Sequence, residues 1–126
     1  MNKKIMVVLF LASVGLVGCR TFPPVHNIEH QAVVVNDQQK VGKAIISGAT
    51  QRGWEAEQIQ PGLIQATLNR RSHQVVVEIP YGADFYSILY KDSKNLRYNA
   101  KKGTIHPRYN TWIIYLNSSI SAELAK

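Results

Sequence analysis

The chain has 126 residues, 45% of them hydrophobic, with 15 Lys and Arg against 8 Asp and Glu for a formal net charge of +7. That length suits one domain and is short for two. A single cysteine excludes an internal disulfide framework.

The N-terminus is the most informative stretch. Lys3 and Lys4 precede an apolar run over residues 5–17. A transmembrane helix needs roughly 20 apolar residues, so this run is too short to span a bilayer and has the length of a secretory signal core. It leads into Leu16-Val17-Gly18-Cys19, the pattern of a bacterial lipobox. In a lipobox the thiol is acylated and the chain is then cut between Gly18 and Cys19. The organisation expected is a lipoprotein signal peptide over residues 1–18, a lipidated Cys19 with a tether over residues 19–31, and one domain over residues 32–126. With its cysteine acylated, the fold has no thiol for catalysis or metal binding. Two or three acyl chains hold a protein firmly on a bilayer, at about 0.8 kcal/mol per buried methylene. The mature protein is therefore expected in the cell envelope. By resemblance to the enterobacterial sorting pattern, in which Asp after the acylated cysteine marks retention in the inner membrane, Arg20 favours the outer membrane facing the periplasm.

Phe22-Pro23-Pro24 gives the tether an extended character. Residues 32–35 form a brief strand candidate. Residues 37–52 are expected to be helical, with Val41, Ala44, Ile45 and Ala49 on one face, Asn36 and Gln39 as a capping box, and Gly53 as the stop. Strands follow at 54–60, 63–69, 75–79 and 85–90, with Pro61-Gly62 and Arg70-Arg71-Ser72 as turns. Such short connections favour an antiparallel meander. Residues 91–104 are polar, basic and aperiodic, the longest loop candidate of the domain. Pro107 opens a last helix whose expected buried stripe is Tyr109, Trp112, Ile113, Leu116, Ile120 and Leu124. The fold class expected is α+β: a single antiparallel sheet of four to five strands, two helices packed on one face, and element order β-α-β-β-β-β-α.

Charge is unevenly distributed. Between positions 91 and 108 stand Lys91, Lys94, Arg97, Lys101, Lys102 and Arg108 against one acid, Asp92. Basic and acidic residues balance over the rest of the mature chain. These cations can meet anionic lipid headgroups, or can form an ordinary solvated face. Placement outside the cytoplasm makes nucleic acid an unexpected partner.

Three short stretches carry a resemblance: Tyr86-Ser87-Ile88, then Ser93-Lys94-Asn95-Leu96-Arg97-Tyr98, then Ile105-His106-Pro107-Arg108-Tyr109-Asn110-Thr111-Trp112. With Gly53-Trp54 after the first helix, this pattern resembles a family of small, uncharacterised proteobacterial lipoproteins. The resemblance implies a compact envelope lipoprotein and brings no activity with it.

Tyr90, Asn95, Tyr98, His106 and Asn110, with Tyr109 and Trp112 behind them, allow two readings. They can line a pocket for an anionic ligand, such as a lipid headgroup or a cell-wall fragment. Equally, the amides and imidazole can satisfy loop and helix-cap backbone groups. His26 and His30 have chelating spacing only on a helix, and they follow two prolines, so no metal site is expected. No Gly-x-Ser-x-Gly, phosphate loop or ordered nucleophile-base pair is present, and no cofactor is implied. The function expected is a non-catalytic interaction module with an envelope protein partner. Its alternative is a domain binding an anionic ligand through the tyrosine, histidine and asparagine cluster and the basic loop.

Overall fold

The computed structural model describes residues 21–126. The expected signal peptide, the expected cleavage position at Gly18 and the expected acylation position Cys19 lie outside the described residues. Five strands and two helices follow one another as β1 (Ile28–Ala32), α1 (Gln38–Gln51), β2 (Glu55–Gln60), β3 (Leu63–Arg70), β4 (His73–Pro80), β5 (Phe85–Lys94) and α2 (Pro107–Leu124). The strands form one antiparallel sheet in the order β1-β5-β4-β3-β2. This is the α+β fold expected from the sequence, with five strands.

Strands β2 to β5 are a meander because each connection is a turn. Pro61-Gly62 joins β2 to β3, with Gly62 at φ +81°, the left-handed position that a tight turn reserves for glycine. Alternation then assigns the faces. Ile64, Ala66 and Leu68 of β3, Val75, Val77 and Ile79 of β4, and Tyr86 and Ile88 of β5 are all within 1% of complete burial. Both helices cover this face. On the other face Lys91 bonds Gln65 at 3.0 Å and pairs with Glu78 at 3.3 Å, where a bulge between β4 and β5 displaces the register.

Helix α1 is capped by Asp37, not by Asn36. The Asp37 carboxylate accepts the N–H groups of Gln39 and Lys40 at 3.0 and 3.2 Å. Asn36 is at φ +57° and belongs to the preceding turn. Val41, Ile45 and Ala49 face the sheet with no exposure, and Gly53 at φ +86° ends the helix as expected. In α2 the buried stripe is Tyr109, Ile113, Leu116 and Ile120. Trp112 lies at the edge of that stripe and is half-buried, so it is a rim residue rather than a core one.

Two expectations need correction. The first strand lies at Ile28–Ala32 rather than 32–35. Its sequence carries no alternation. It is held by the β5 ladder and by Ser87, whose hydroxyl accepts the His30 N–H at 2.8 Å. The second concerns residues 91–104. Strand β5 claims the first four of them, and the rest is pinned at both ends, because Leu96 and Ile105 are completely buried. The His106 N–H donates to the Leu96 carbonyl at 2.9 Å, closing the loop at its base. Within it, Asn99 and Thr104 form a bridge of their own. No helix among the described residues is long and apolar enough to cross a membrane.

Candidate functional site

The residues singled out in the sequence do gather near the start of α2, but their polar groups are engaged with the fold. Asn95 sits at φ +61° and donates its side-chain amide to the Ser72 carbonyl at 2.6 Å. Its own carbonyl meets His73 Nδ1 at 2.9 Å, which requires the proton on that nitrogen. His106 is the N-cap of α2, its Nδ1 accepting the Arg108 N–H at 3.0 Å. Tyr90 is wedged between two phenols. It stacks on Tyr98 with centroids 4.3 Å apart and meets Tyr109 edge-on at 5.6 Å, and its hydroxyl bonds Ser93 at 2.7 Å. Burial pushes the Tyr90 phenol above its ordinary value, with the Ser93 bond opposing it. Tyr109 is shifted further in the same direction, also by burial, and its hydroxyl has no hydrogen-bond partner. Tyr98 and Asn95 are the exposed members of the cluster, Tyr98 at 42%.

Asn110 does something the sequence did not suggest. Its carbonyl oxygen accepts the His26 N–H and its amide donates to the Pro24 carbonyl, each at 2.9 Å. This side chain clasps the tether as a neighbouring strand would. The opposite side of the tether is bonded to the basic loop, Ile105 N–H to the Pro23 carbonyl at 3.0 Å and Val25 N–H to the Gly103 carbonyl at 2.9 Å. Phe22 lies against the His106 ring, 5.8 Å between centroids. Residues 22–27 are therefore part of the folded domain and not of the expected free tether. His26 falls on this run and His30 on β1, at φ +53°, rather than on a helix, and His30 stacks on Phe85 at 4.4 Å.

The antiparallel register also concentrates charge at one end of the molecule. The end of β3, the start of β4, the end of β5, the end of α1 and the start of α2 all lie there, since Arg70 pairs with His73 and Gln74 with Lys94. That end carries Arg52, Arg70, Arg71, Lys94, Arg97, Lys101, Lys102 and Arg108, against Glu55 and Asp92. The opposite end is balanced, with Lys40, Lys43 and Lys126 beside Asp37, Asp84 and Glu123.

Two adjoining clefts open at the basic end. One, of about 550 Å³, is lined by Arg52, Trp54, Arg70, Trp112 and Tyr115 among others. The second, of about 320 Å³, shares Arg70, Trp112 and Tyr115 and adds Arg71, His73 and Arg108. The walls are pre-set. Arg52 lies 5.2 Å over the Tyr115 ring and donates to the Ser119 hydroxyl at 2.6 Å. Arg70 donates to the Arg52 carbonyl at 3.0 Å and fills the space beside Gly53, where a Cβ would come within 3.0 Å of its guanidinium. Among the described residues the ion pairs are Lys91–Glu78 and Lys126–Glu123, so none of these arginines meets a carboxylate. Arginine forks without an acid, set between indole and phenol rings, suit a phosphate or carboxylate ligand. Sequence reading placed Arg70-Arg71 in a turn and Arg52 at a helix end, and nothing in their spacing joins them. The signal available was Arg70-Arg71 with no acid within six positions, although Arg52 has Glu55 three positions on.

The chain matches no family model, no curated protein and no solved structure.

Proposed function

We propose that this chain is a lipid-anchored, non-catalytic interaction module of the bacterial cell envelope, acylated at Cys19, facing the periplasm from the outer membrane and working with an envelope protein partner. The observation that carries the reading is the join between the lipobox and the fold. Leu16-Val17-Gly18-Cys19 is followed almost at once by residues bonded into the domain, beginning with Pro23 on Ile105. A lipoprotein domain held close to its bilayer has this arrangement. The pattern shared with small proteobacterial lipoproteins supports the same reading.

A second reading, binding of an anionic ligand, is favoured by a specific observation, although not at the residues first expected. Asn95, His106 and Asn110 use their side chains on backbone groups of the fold, whereas the arginines of the clefts meet no carboxylate among the described residues.

The test of the anchor is intact mass and fractionation of the mature protein from cells. The expected product begins at Cys19, carries the mass of its acyl chains and floats with outer membranes. Cys19→Ser should accumulate as an uncleaved precursor. A variant that matures to the parent mass and stays with the membrane would remove the lipoprotein reading. Crosslinking in intact cells then identifies the protein partner.

A further inference from the structure

We propose that the basic end of the domain is a membrane-docking face, seated on anionic phospholipid headgroups, with the arginine-lined cleft taking a headgroup phosphate. The proposal rests on the anchoring reading and adds an orientation and a ligand class to it.

Three observations converge. The first is where the chain outside the described residues must end. Pro23 is fixed to Ile105, and Cys19 is four residues upstream, so their Cα atoms are at most about 14 Å apart at about 3.6 Å per residue. An acyl chain on Cys19 therefore enters the bilayer beside the loop that Pro24 bridges at Thr104. The second is charge. That loop carries Arg97, Lys101 and Lys102, and Arg70, Arg71 and Arg108 stand at the same end of the molecule. Near an anionic surface such residues act within a Debye length of about 8 Å at physiological ionic strength. A tether this short keeps the end that bears them close to the headgroups. The third is shape and chemistry. The cleft is open, its arginines are without carboxylates among the described residues, and Trp112 and Tyr115 border it. Indole and phenol rings are the side chains that settle at the headgroup level of a bilayer.

The loop is also built to be presented rather than to collapse. Leu96 and Ile105 bury its two ends, and Asn99 accepts the Lys102 N–H at 3.0 Å, fixing the turn that displays Lys101 and Lys102. Asn110, on the clasp, sets the tether against this loop and not against another face.

Because the lone cysteine is acylated, an introduced cysteine is a unique thiol in the mature lipoprotein. The experiment places a fluorescent label at Lys102→Cys or, as a control at the far end, Asp84→Cys. Each full mature protein is inserted through its own lipid into vesicles of neutral phosphatidylcholine, or of phosphatidylcholine with one part in three phosphatidylglycerol, roughly the charge density of an anionic leaflet. In anionic vesicles the label at 102 should be shielded from an aqueous quencher, and added salt should expose it again. In neutral vesicles it should be exposed, and the label at 84 should be exposed in both. Arg70→Glu with Arg71→Glu should shift the docked population by about fivefold or more per charge changed. Equal quenching at position 102 in both vesicles overturns the docking face, as does shielding that the charge reversals leave intact. Intact mass separates this from failure of the anchor: a mature chain without acyl mass overturns the lipoprotein reading. Salt-sensitive flotation of that chain with anionic vesicles alone would then still support the face, and its absence would overturn it.

Discussion

A Cβ built on Gly48 would lie 2.7 Å from the backbone nitrogen of Ile120, so α1 and α2 touch at a point where only hydrogen fits. The neighbour is backbone of a buried helix and cannot swing aside. Gly48→Ala gains helix propensity of about 1 kcal/mol, but must push the helices apart at a cost of about 1–3 kcal/mol. The expected result is a net loss of stability, read as a lower melting temperature. An alanine variant as stable as the parent would show that the helices separate easily.

The clasp predicts a local effect. Asn110→Ala removes two hydrogen bonds to the tether and leaves the sheet and both helices untouched. Each bond contributes about 0.5–1.5 kcal/mol. Amide exchange at His26, Val25 and Ile105 should accelerate strongly, while exchange in β3 and β4 stays near the parent rate. Uniform acceleration across the domain would contradict a local role.

Removing the cap of α2 should be felt as stability. His106→Ala deletes the acceptor of the Arg108 N–H, with an expected cost of about 0.5–2 kcal/mol. Asn or Asp at the same position should restore much of it, since either can cap. A ligand-binding role for His106 would instead leave the melting temperature alone and resist rescue by another capping residue.

The orphaned Tyr109 hydroxyl makes the alkaline limb of the stability curve specific. Its folded value is raised by burial above the ordinary 10.0, so above about pH 10 the unfolded chain ionises while the folded chain does not. This contribution is complete below the unfolded value and is lost as pH rises past it. Tyr109→Phe removes an unsatisfied buried group, worth about 1–3 kcal/mol, at the loss of little packing. The variant should be at least as stable as the parent at neutral pH and should lose stability less steeply above pH 10. An unchanged alkaline slope would place the hydroxyl in contact with water.

At acid pH, Glu123 joins the two helices. Hydrogen bonds from Lys126 and then Gln51 and Ser47 hold its carboxyl below the ordinary carboxylate value of 4.5. Its contribution is present above that value and fades as pH falls through the lower, folded one. Glu123→Gln should flatten the acid limb below the ordinary carboxylate range, checked by chemical unfolding at a series of pH values.

Much of the fold was legible because its signals are local. Alternation marks β3 and β4, Pro61-Gly62 marks a turn, and the helical stripe through Ile113, Leu116 and Ile120 marks α2. What escaped depends on partners distant in sequence. Strand β1 is specified by β5, 57 positions away at the His30–Ser87 bond. The clasp joins residues 86 positions apart, and the arginine cleft assembles from α1, the β3–β4 turn and α2. Helical spacing puts Trp112 on the buried stripe because it resolves a face only to within one residue at its edges. Asn95, His106 and Asn110 stand out in the sequence as polar residues flanking a helix start. Their work is satisfying backbone groups that appear only once the chain is folded.

The clasped tether has one further consequence, for the way a partner is found. On the proposed acylation of Cys19, no more than about four residues would separate the lipid from the fold. A connection of that length would permit lateral diffusion but no excursion into the periplasmic volume. Encounters then become a two-dimensional search, in which two proteins confined to one leaflet meet at a high effective concentration and a weak contact suffices. Under the proposed anchoring, partners embedded in or bound to the same membrane would be favoured over partners anchored across the compartment. Lengthening the chain between Cys19 and Phe22 with a flexible insert would alter that choice without touching a single interface residue.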